Sequence, residues 1–575
     1  MPGSPYPVSQ IPDTVYLVGL ANVSDGQLLA ILTLQGMLAK TKPEIYIDMG
    51  GGYTTWMQDL ENNYGVVFKN TYYSDFPGLI AHFKNRIGGY FLCNVGDSST
   101  NVAISACAQH SDKIAITVDL VPLMDSLNIP LAYDVRNLGE HWMYENYGNT
   151  FSTEVATYQR YDNSLFLGDY SVFAGAFQFY ESIDNALVDS VLNRMSTNAV
   201  VFGWGDDEFQ TVSKLSSYGV ALHAADWMRN LSLLSNMEAA TVQHTHPDSV
   251  ITTDNVHTVC FLMSDGDNLN WMVNEFAAQP NWYGSSDRGS FDMGWTISPA
   301  FSELMPTVMK YYYDQASNTP QAQDNFVAAA SGTGYIFPDQ YPDLQTYAGL
   351  LNEYMQKADV RILNILGSVY DDTYMEPFLQ QPNIEAVFYY DYANYSGLNG
   401  AIYNVNGKPV IGARYNFWDG FEDVASLTNA LNNASTDAYS PDGYSLVVVH
   451  AWSRTLSDVK AVVDQLDSNV IVVTPEEFVA RIKSKLGFVG NEDTRVHDAA
   501  FSWNIWPNPV RNTLYVHCPD NASRMDIYAV DGTLVQTVLP RSHGITPVNV
   551  SELPAGTYFV KFPGKSGMPK KIIKL

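Results

Sequence analysis

Thr258-Val-Cys-Phe-Leu-Met-Ser-Asp-Gly-Asp-Asn-Leu-Asn-Trp271 is the stretch from which this chain is read. An apolar run, Val259 to Met263, stops abruptly at Ser264, Asp265, Gly266, Asp267 and Asn268. This predicts a buried strand that delivers carboxylates into a tight turn. In parallel-sheet folds ligands gather at the carboxyl ends of the strands, so Asp265 and Asp267 are candidate acids. The same pattern recurs outward. Asn198 to Gly203 runs into Trp204 and Glu208, Phe326 to Ala330 into a loop carrying Tyr335, Ala386 to Tyr390 into Asp391 and Tyr392, Pro409 to Ala413 into Arg414, and Ser445 to Val449 into His450 and Trp452. Helical patterns separate these runs, among them a continuous one from Pro299 to Ala316. About eight strands interleaved with helices over 196–488 match a (β/α) barrel-like domain, which takes ~250 residues or more; a seven-stranded or incomplete barrel reads the same.

Upstream, short apolar runs alternate with helical patterns from Thr14 to Val118. That spacing predicts a small α/β domain with a parallel sheet over 1–135. Residues 136–195 are aromatic-rich without a clear period and are read as a connecting region. Beyond Gly490 a polar linker leads to alternating strands and hairpin signals, an all-β sandwich over 500–575. The expected fold class is therefore α/β, with an all-β tail.

The net charge of -30 disfavours nucleic acid and anionic membrane surfaces as partners. Aromatics make up 13% of the chain, with 37 Tyr and 11 Trp, more than a core requires, and this favours stacking on a neutral carbohydrate. No apolar run reaches the ~20 residues of a membrane-spanning helix. Met1 to Pro7 has no basic or apolar leader pattern, so the expectation is an intracellular protein or one whose leader has been removed. Cys93, Cys107, Cys260 and Cys518 are dispersed without metal-ligand spacing, so neither structural zinc nor a disulfide framework is expected, and no cofactor is predicted. Gly50-Gly51-Gly52 lacks dinucleotide spacing, and the Asp265 turn fails as an EF-hand because Asn270 stands where that loop needs glycine.

Gly332-Thr333-Gly334-Tyr335-Ile336-Phe337-Pro338 resembles the signature of the GxGYxYP putative glycoside hydrolases, with Phe337 in place of the second Tyr. Met263 to Asn268, Arg288-Gly289, Gly294 to Pro299, and Phe202 to Trp204 with Glu208 resemble the same family. The resemblance implies α/β N-terminal domains before a barrel-like catalytic domain, and carbohydrate processing. The tail resembles a C-terminal sorting domain of the type IX secretion pathway, on Trp506 to Pro509, Asp531-Gly532, Leu553 to Val560 and Lys570 to Lys574. That resemblance implies a secreted or cell-surface protein of Bacteroidetes type, with the secretion machinery as a partner.

Glycoside hydrolysis uses two carboxyl groups, one kept protonated near neutral pH. Asp265, Asp267, Asp391 and Glu208 are the candidates. Trp204, Asn268, Trp271, Trp295, Tyr335, Tyr392, Arg414, Trp418, His450 and Trp452 are the candidate substrate-binding residues. Acids around His450 predict a raised pKa there. Two alternatives stand beside hydrolysis: a non-catalytic glycan-binding surface protein, with the aspartates serving as helix caps, and a metal-dependent carbohydrate deacetylase using Asp265 or Asp267 with His450.

Overall fold

The computed structural model describes residues 4–244, 246, 253–319 and 321–488, and in the tail 504–506, 509–518, 524–530, 533–540, 544–562 and 570–575. The N-terminal half builds three small parallel sheets. In the first, Thr14–Gly19 lies between Ile45–Asp48 and Val67–Lys69; in the second, Gly89–Leu92 lies between Lys113–Ile116 and Leu131–Asp134. The α/β pattern read over 1–135 is thus present but divided between two sheets.

The third sheet departs from the sequence reading. Its order is Ala221–Ala224, Val200–Gly203, Val155–Tyr158, Phe177–Phe179, all parallel. Two of its strands come from the stretch read as a connector. Val200–Gly203, expected to open the barrel-like domain, pairs instead with Val155 to Tyr158. An apolar run buried on both faces shows that a strand is central to a parallel sheet, not which sheet it joins. The Asp25–Ala39 helix packs against both the Lys113–Ile116 strand and the Gly168–Ala174 helix. It is buried on nearly every side, as a helix apolar all round should be, and Ser24 with Gln27 forms its capping box.

The fourth unit is a ten-stranded curled sheet of half-barrel form. At its centre, His257–Met263 has Tyr444–Val449 on one side; Met293–Ile297 and Val470–Val472 share the other. From Met293–Ile297 the order continues through Asp324–Ala328, Ile362–Gly367 and Ala386–Asp391 to Lys408–Gly412. The pairings are parallel apart from the Ile402–Val405 edge. Lys408–Gly412 pairs with Ala386–Asp391, whereas Tyr415–Phe417, just beyond it, pairs with Tyr444–Val449. One nearly continuous stretch is therefore shared by both ends of the curl. The helix expected from Pro299 to Ala316 is broken into Phe301–Leu304 and Pro306–Gln315. Pro306 disfavours helical geometry at the residue before it, and Met305 sits at φ -150° and ψ 63°.

The described part of the tail is all-β, with antiparallel sheets around a separate core that includes Val510, Leu514, Val516, Ile527, Val560 and Ile572. Among the described residues no helix is long and apolar enough to cross a membrane.

Candidate active site

The His257–Met263 strand is buried throughout and ends at the acidic turn. Asp265 takes a left-handed backbone, φ 69°, which Asp tolerates better than most residues. At Gly266 a Cβ would stand 1.8 Å from the Thr296 carbonyl oxygen. The Gly266 N–H donates to Thr296 Oγ1 at 2.9 Å, and the Thr296 hydroxyl donates to the Met263 carbonyl at 2.7 Å. The turn is therefore pinned to the neighbouring strand. Gly266→Ala is expected to destabilise the protein by about 1–3 kcal/mol, as forced overpacking does, and to lower activity with it; urea unfolding checks this.

Only Asn268 acts as a helix cap, its Oδ1 accepting the Trp271 N–H at 3.1 Å. The chain then widens into a π-helix, Met272–Phe276, a form often found at functional sites. Neither aspartate is consumed as a cap. Asp265 accepts the Trp452 indole N–H at 2.8 Å and the Ser264 hydroxyl.

Glu208 comes from the third unit, as the first residue of the Glu208–Ser217 helix, whose cap Asp207 accepts the Gln210 N–H. Its entry depends on Gly203, where φ is +129° and a Cβ would lie 1.9 Å from the Tyr158 carbonyl oxygen. The Gly332 to Pro338 loop joins this unit to the curled sheet. Leu222 and Tyr335 exchange both backbone hydrogen bonds, at 3.1 and 2.8 Å, and the Phe337 N–H donates to Ser216 Oγ. The Tyr335 hydroxyl then donates to Glu208 Oε1 at 3.0 Å. Phe337 is fully buried against Phe209 and Tyr392, an apolar setting that suits a ring without a hydroxyl.

These pieces meet at a cavity of about 600 Å³ lined by Glu208, Asp265 and Asp267. Trp204, Trp271, Tyr335, Trp418 and Trp452 form its aromatic walls, with Asn268 and His450 beside them. Trp452 packs on Trp271 with ring centroids 4.2 Å apart, and His450 stacks on Trp418 at 3.7 Å and 12°.

Four predicted residues lie off the lining. Successive side chains on a strand face opposite sides, and it is Tyr390 that lines the cavity, while Asp391 accepts the Ala393 N–H in a local turn. Trp295 is core, its indole N–H held by Asp324 at 2.8 Å, while its neighbour Thr296 pins the acidic turn. Tyr392 packs between Phe209 and Phe337. Arg414 does not end a strand at the mouth. The chain runs on through Tyr415–Phe417 to Trp418, and the Arg414 guanidinium bonds the Tyr444 and Pro441 carbonyls, at the end of the Tyr444–Val449 strand remote from His450.

Burial raises the Asp267 carboxyl to a pKa of about 7, with Asp265 and then Glu208 adding repulsion. Burial likewise raises Glu208 to about 7; the Tyr335 hydroxyl works against this rise, while Asp265 and Asp207 add to it. His450 reverses the expectation. Burial lowers its pKa, outweighing the attraction of Asp265 and Asp419, so the ring is held toward its neutral form.

Asp226 and Trp227 also line the cavity, as do Asn270, Asn274, Tyr390 and Tyr395. Asp226 and Trp227 follow the Ala221–Ala224 strand in the same pattern of apolar run, acid and aromatic as Asn198 to Glu208, a signal present in the sequence. Tyr395 lies in a loop with no such signal, yet its phenol feels Glu208, Asp265 and Asp267 together.

Among the described residues, one group of possible metal ligands has its atoms within 4.8 Å of one another: His244, His246 and Glu476. It does not include cavity residues, and its protons do not suit a metal. His244 Nε2 accepts the Phe326 N–H at 3.1 Å, which leaves the ring proton on Nδ1. Both nitrogens of His246 face carboxylates, Glu476 at 2.8 Å and Asp359 at 3.0 Å. This arrangement is a hydrogen-bonded clamp that ties His246 to Asp359 and to the first turn of the Pro475–Lys485 helix.

Residues 255–483 match the GxGYxYP putative glycoside hydrolase C-terminal domain, and 14–85, 87–151 and 153–236 match the family's first, second and third domains. Residues 504–575 match a secretion system C-terminal sorting domain, which directs a chain to secretion or to the cell surface. No curated protein matches the chain. The crystal structure of a putative hydrolase from Bacteroides thetaiotaomicron VPI-5482 is 32% identical, with a TM-score of 0.77, and the match covers 84% of this chain and 97% of that one. With its signature loop binding the third domain to the curled sheet beside an acidic, aromatic cavity, this chain belongs to the GxGYxYP putative glycoside hydrolase family.

Proposed function

We propose that the protein is an exported glycoside hydrolase in which Asp267 is the general acid and Glu208 the base or nucleophile. The reading rests on one observation: carboxyl groups from two folding units face one aromatic-walled cavity, and two of them hold their protons to about pH 7. Near neutrality two such groups can supply one acid and one carboxylate, the division of labour that glycoside cleavage needs. Among the described residues no other side chain donates a hydrogen bond to Asp267, and it lies beside the Asp265 charge, which favours its protonated form. Glu208 receives the Tyr335 hydroxyl, which favours its anion. Asp265, tied to Trp452 and Ser264, fixes the turn and maintains the repulsion on Asp267. The indoles supply stacking faces for sugar rings.

Reducing-end release from a panel of polysaccharides and oligosaccharides tests the proposal. Release from at least one glycan by the wild-type protein is expected; glycan binding with no release from any would leave a binding protein instead. Tyr335→Phe supplies a finer check. Loss of a hydrogen bond to the anion raises the Glu208 pKa, so the acid limb of the pH–rate profile should move up by about one unit or more. An unmoved limb would mean that Glu208 does not act as the ionised partner.

A further inference from the structure

We propose that the sugar residue held in this cavity is an amino sugar with a free ammonium group, bound at Asp226 beside Trp227. This rests on the carbohydrate reading of the cavity but not on hydrolysis. Four carboxyl groups line the cavity, Glu208, Asp226, Asp265 and Asp267, and among the described residues no Lys or Arg lines it. Two acids suffice for glycoside cleavage, so Asp226 is left over. Each of its oxygens accepts one side-chain amide, from Asn270 at 2.9 Å and from Asn163 at 3.2 Å, which fixes the carboxylate and leaves a lone pair on each oxygen. Trp227, next to it, is 51% exposed, an indole face available for a cation–π contact.

A second and independent observation distinguishes an amino sugar from a simple diamine. Trp271 and Tyr390 both line the cavity and are 7% and 2% exposed, and the buried indole N–H of the one and hydroxyl of the other have no hydrogen-bond partner among the described residues. An indole N–H is a donor only, so it needs an acceptor from the ligand, and a buried polar group left without one is costly. An ammonium is donor-only and cannot serve it. A pyranose carrying one amine offers the ammonium to Asp226, hydroxyl oxygens to Trp271 and Tyr390, and a C–H face to the indoles. Uronic or sulfated sugars would bring negative charge into a cavity where, among the described residues, no Lys or Arg stands to receive it.

Calorimetric titration of the full chain tests this at a mildly acidic pH that keeps amines charged, with Glu208→Gln used wherever turnover interferes. The probes are chitotriose with free amines, its N-acetylated form, cellotriose and a trigalacturonate. The free-amine trimer should bind about tenfold or more tighter than the acetylated and neutral trimers, the size of one charge-assisted hydrogen bond. The preference should disappear in Asp226→Asn and weaken in Trp227→Ala, whose exposed ring can be removed without opening the core. Equal or tighter binding of the acetylated, neutral or acidic trimer would overturn the proposal, as would no binding of any trimer or a preference that survives Asp226→Asn. Amine-selective binding without cleavage would sink the hydrolase reading and keep this one; cleavage of neutral glycans without amine preference would do the reverse.

Discussion

Asp267→Asn is expected to lower kcat on natural glycans by roughly 10²–10⁴, the contribution of a positioned general acid, while leaving substrate affinity nearly unchanged. An aryl glycoside with an activated leaving group departs without protonation, so the loss should shrink sharply on that substrate. Retained hydrolysis of natural glycans in the mutant would remove Asp267 from the mechanism. The same substitution carries a stability signature. Burial raises the folded-state pKa of Asp267 to about 7, above the ordinary aspartate value of 3.8. A carboxyl raised in this way stabilises the fold while protonated, so its contribution is complete below about pH 4 and is lost as the pH rises through about 7. Asparagine has no proton to lose. Asp267→Asn should therefore melt above the wild type at pH values past 7, and the gap should close toward pH 4. Thermal melts across that window decide the point, and parallel curves would mean that Asp267 is not held protonated.

Glu208→Gln is expected to lower kcat at least as far, by roughly 10³ or more, and here an activated leaving group should give no relief. The base or nucleophile is needed however good the leaving group is, and this contrast separates the two carboxylates. The fold should persist, because the amide oxygen can still accept the Tyr335 hydroxyl now bonded to Glu208 at 3.0 Å. Rescue of Glu208→Gln, but not of Asp267→Asn, by the activated substrate would exchange the roles assigned to the two residues.

Much of the site was legible because it is local. Met263 to Asn268 reads as a strand running into an acidic turn, and it forms one. Trp418, His450 and Trp452 follow strand ends and reach the cavity. The misplacements also have local causes. Asp391 is one residue past Tyr390 and so faces the other way. Arg414 lies between two short strands, Lys408–Gly412 and Tyr415–Phe417, and it is the end of the second that reaches the mouth. At His450 the pull of the acids is outweighed by burial of the ring, which stacks on Trp418, and burial is set by the tertiary structure.

The sequence by itself determined which residue types stand at the strand ends, the family signature, the export signal and the acidic, aromatic character of the cleft. The strand ends and the character of the cleft follow from periodicity, turn chemistry and composition, and the family signature and export signal from resemblance to known motifs, all properties of neighbouring residues. Only the tertiary structure decided that Val200–Gly203 belongs to the third sheet, that Glu208 therefore reaches the cavity from a different unit than Asp267, and that Tyr335 holds it there. Strand pairing joins Val200 to Val155, 45 positions away, and domain docking joins Glu208 to Tyr335, 127 positions away. The burial that holds protons on Glu208 and Asp267 to about pH 7 arises only when those units close over them.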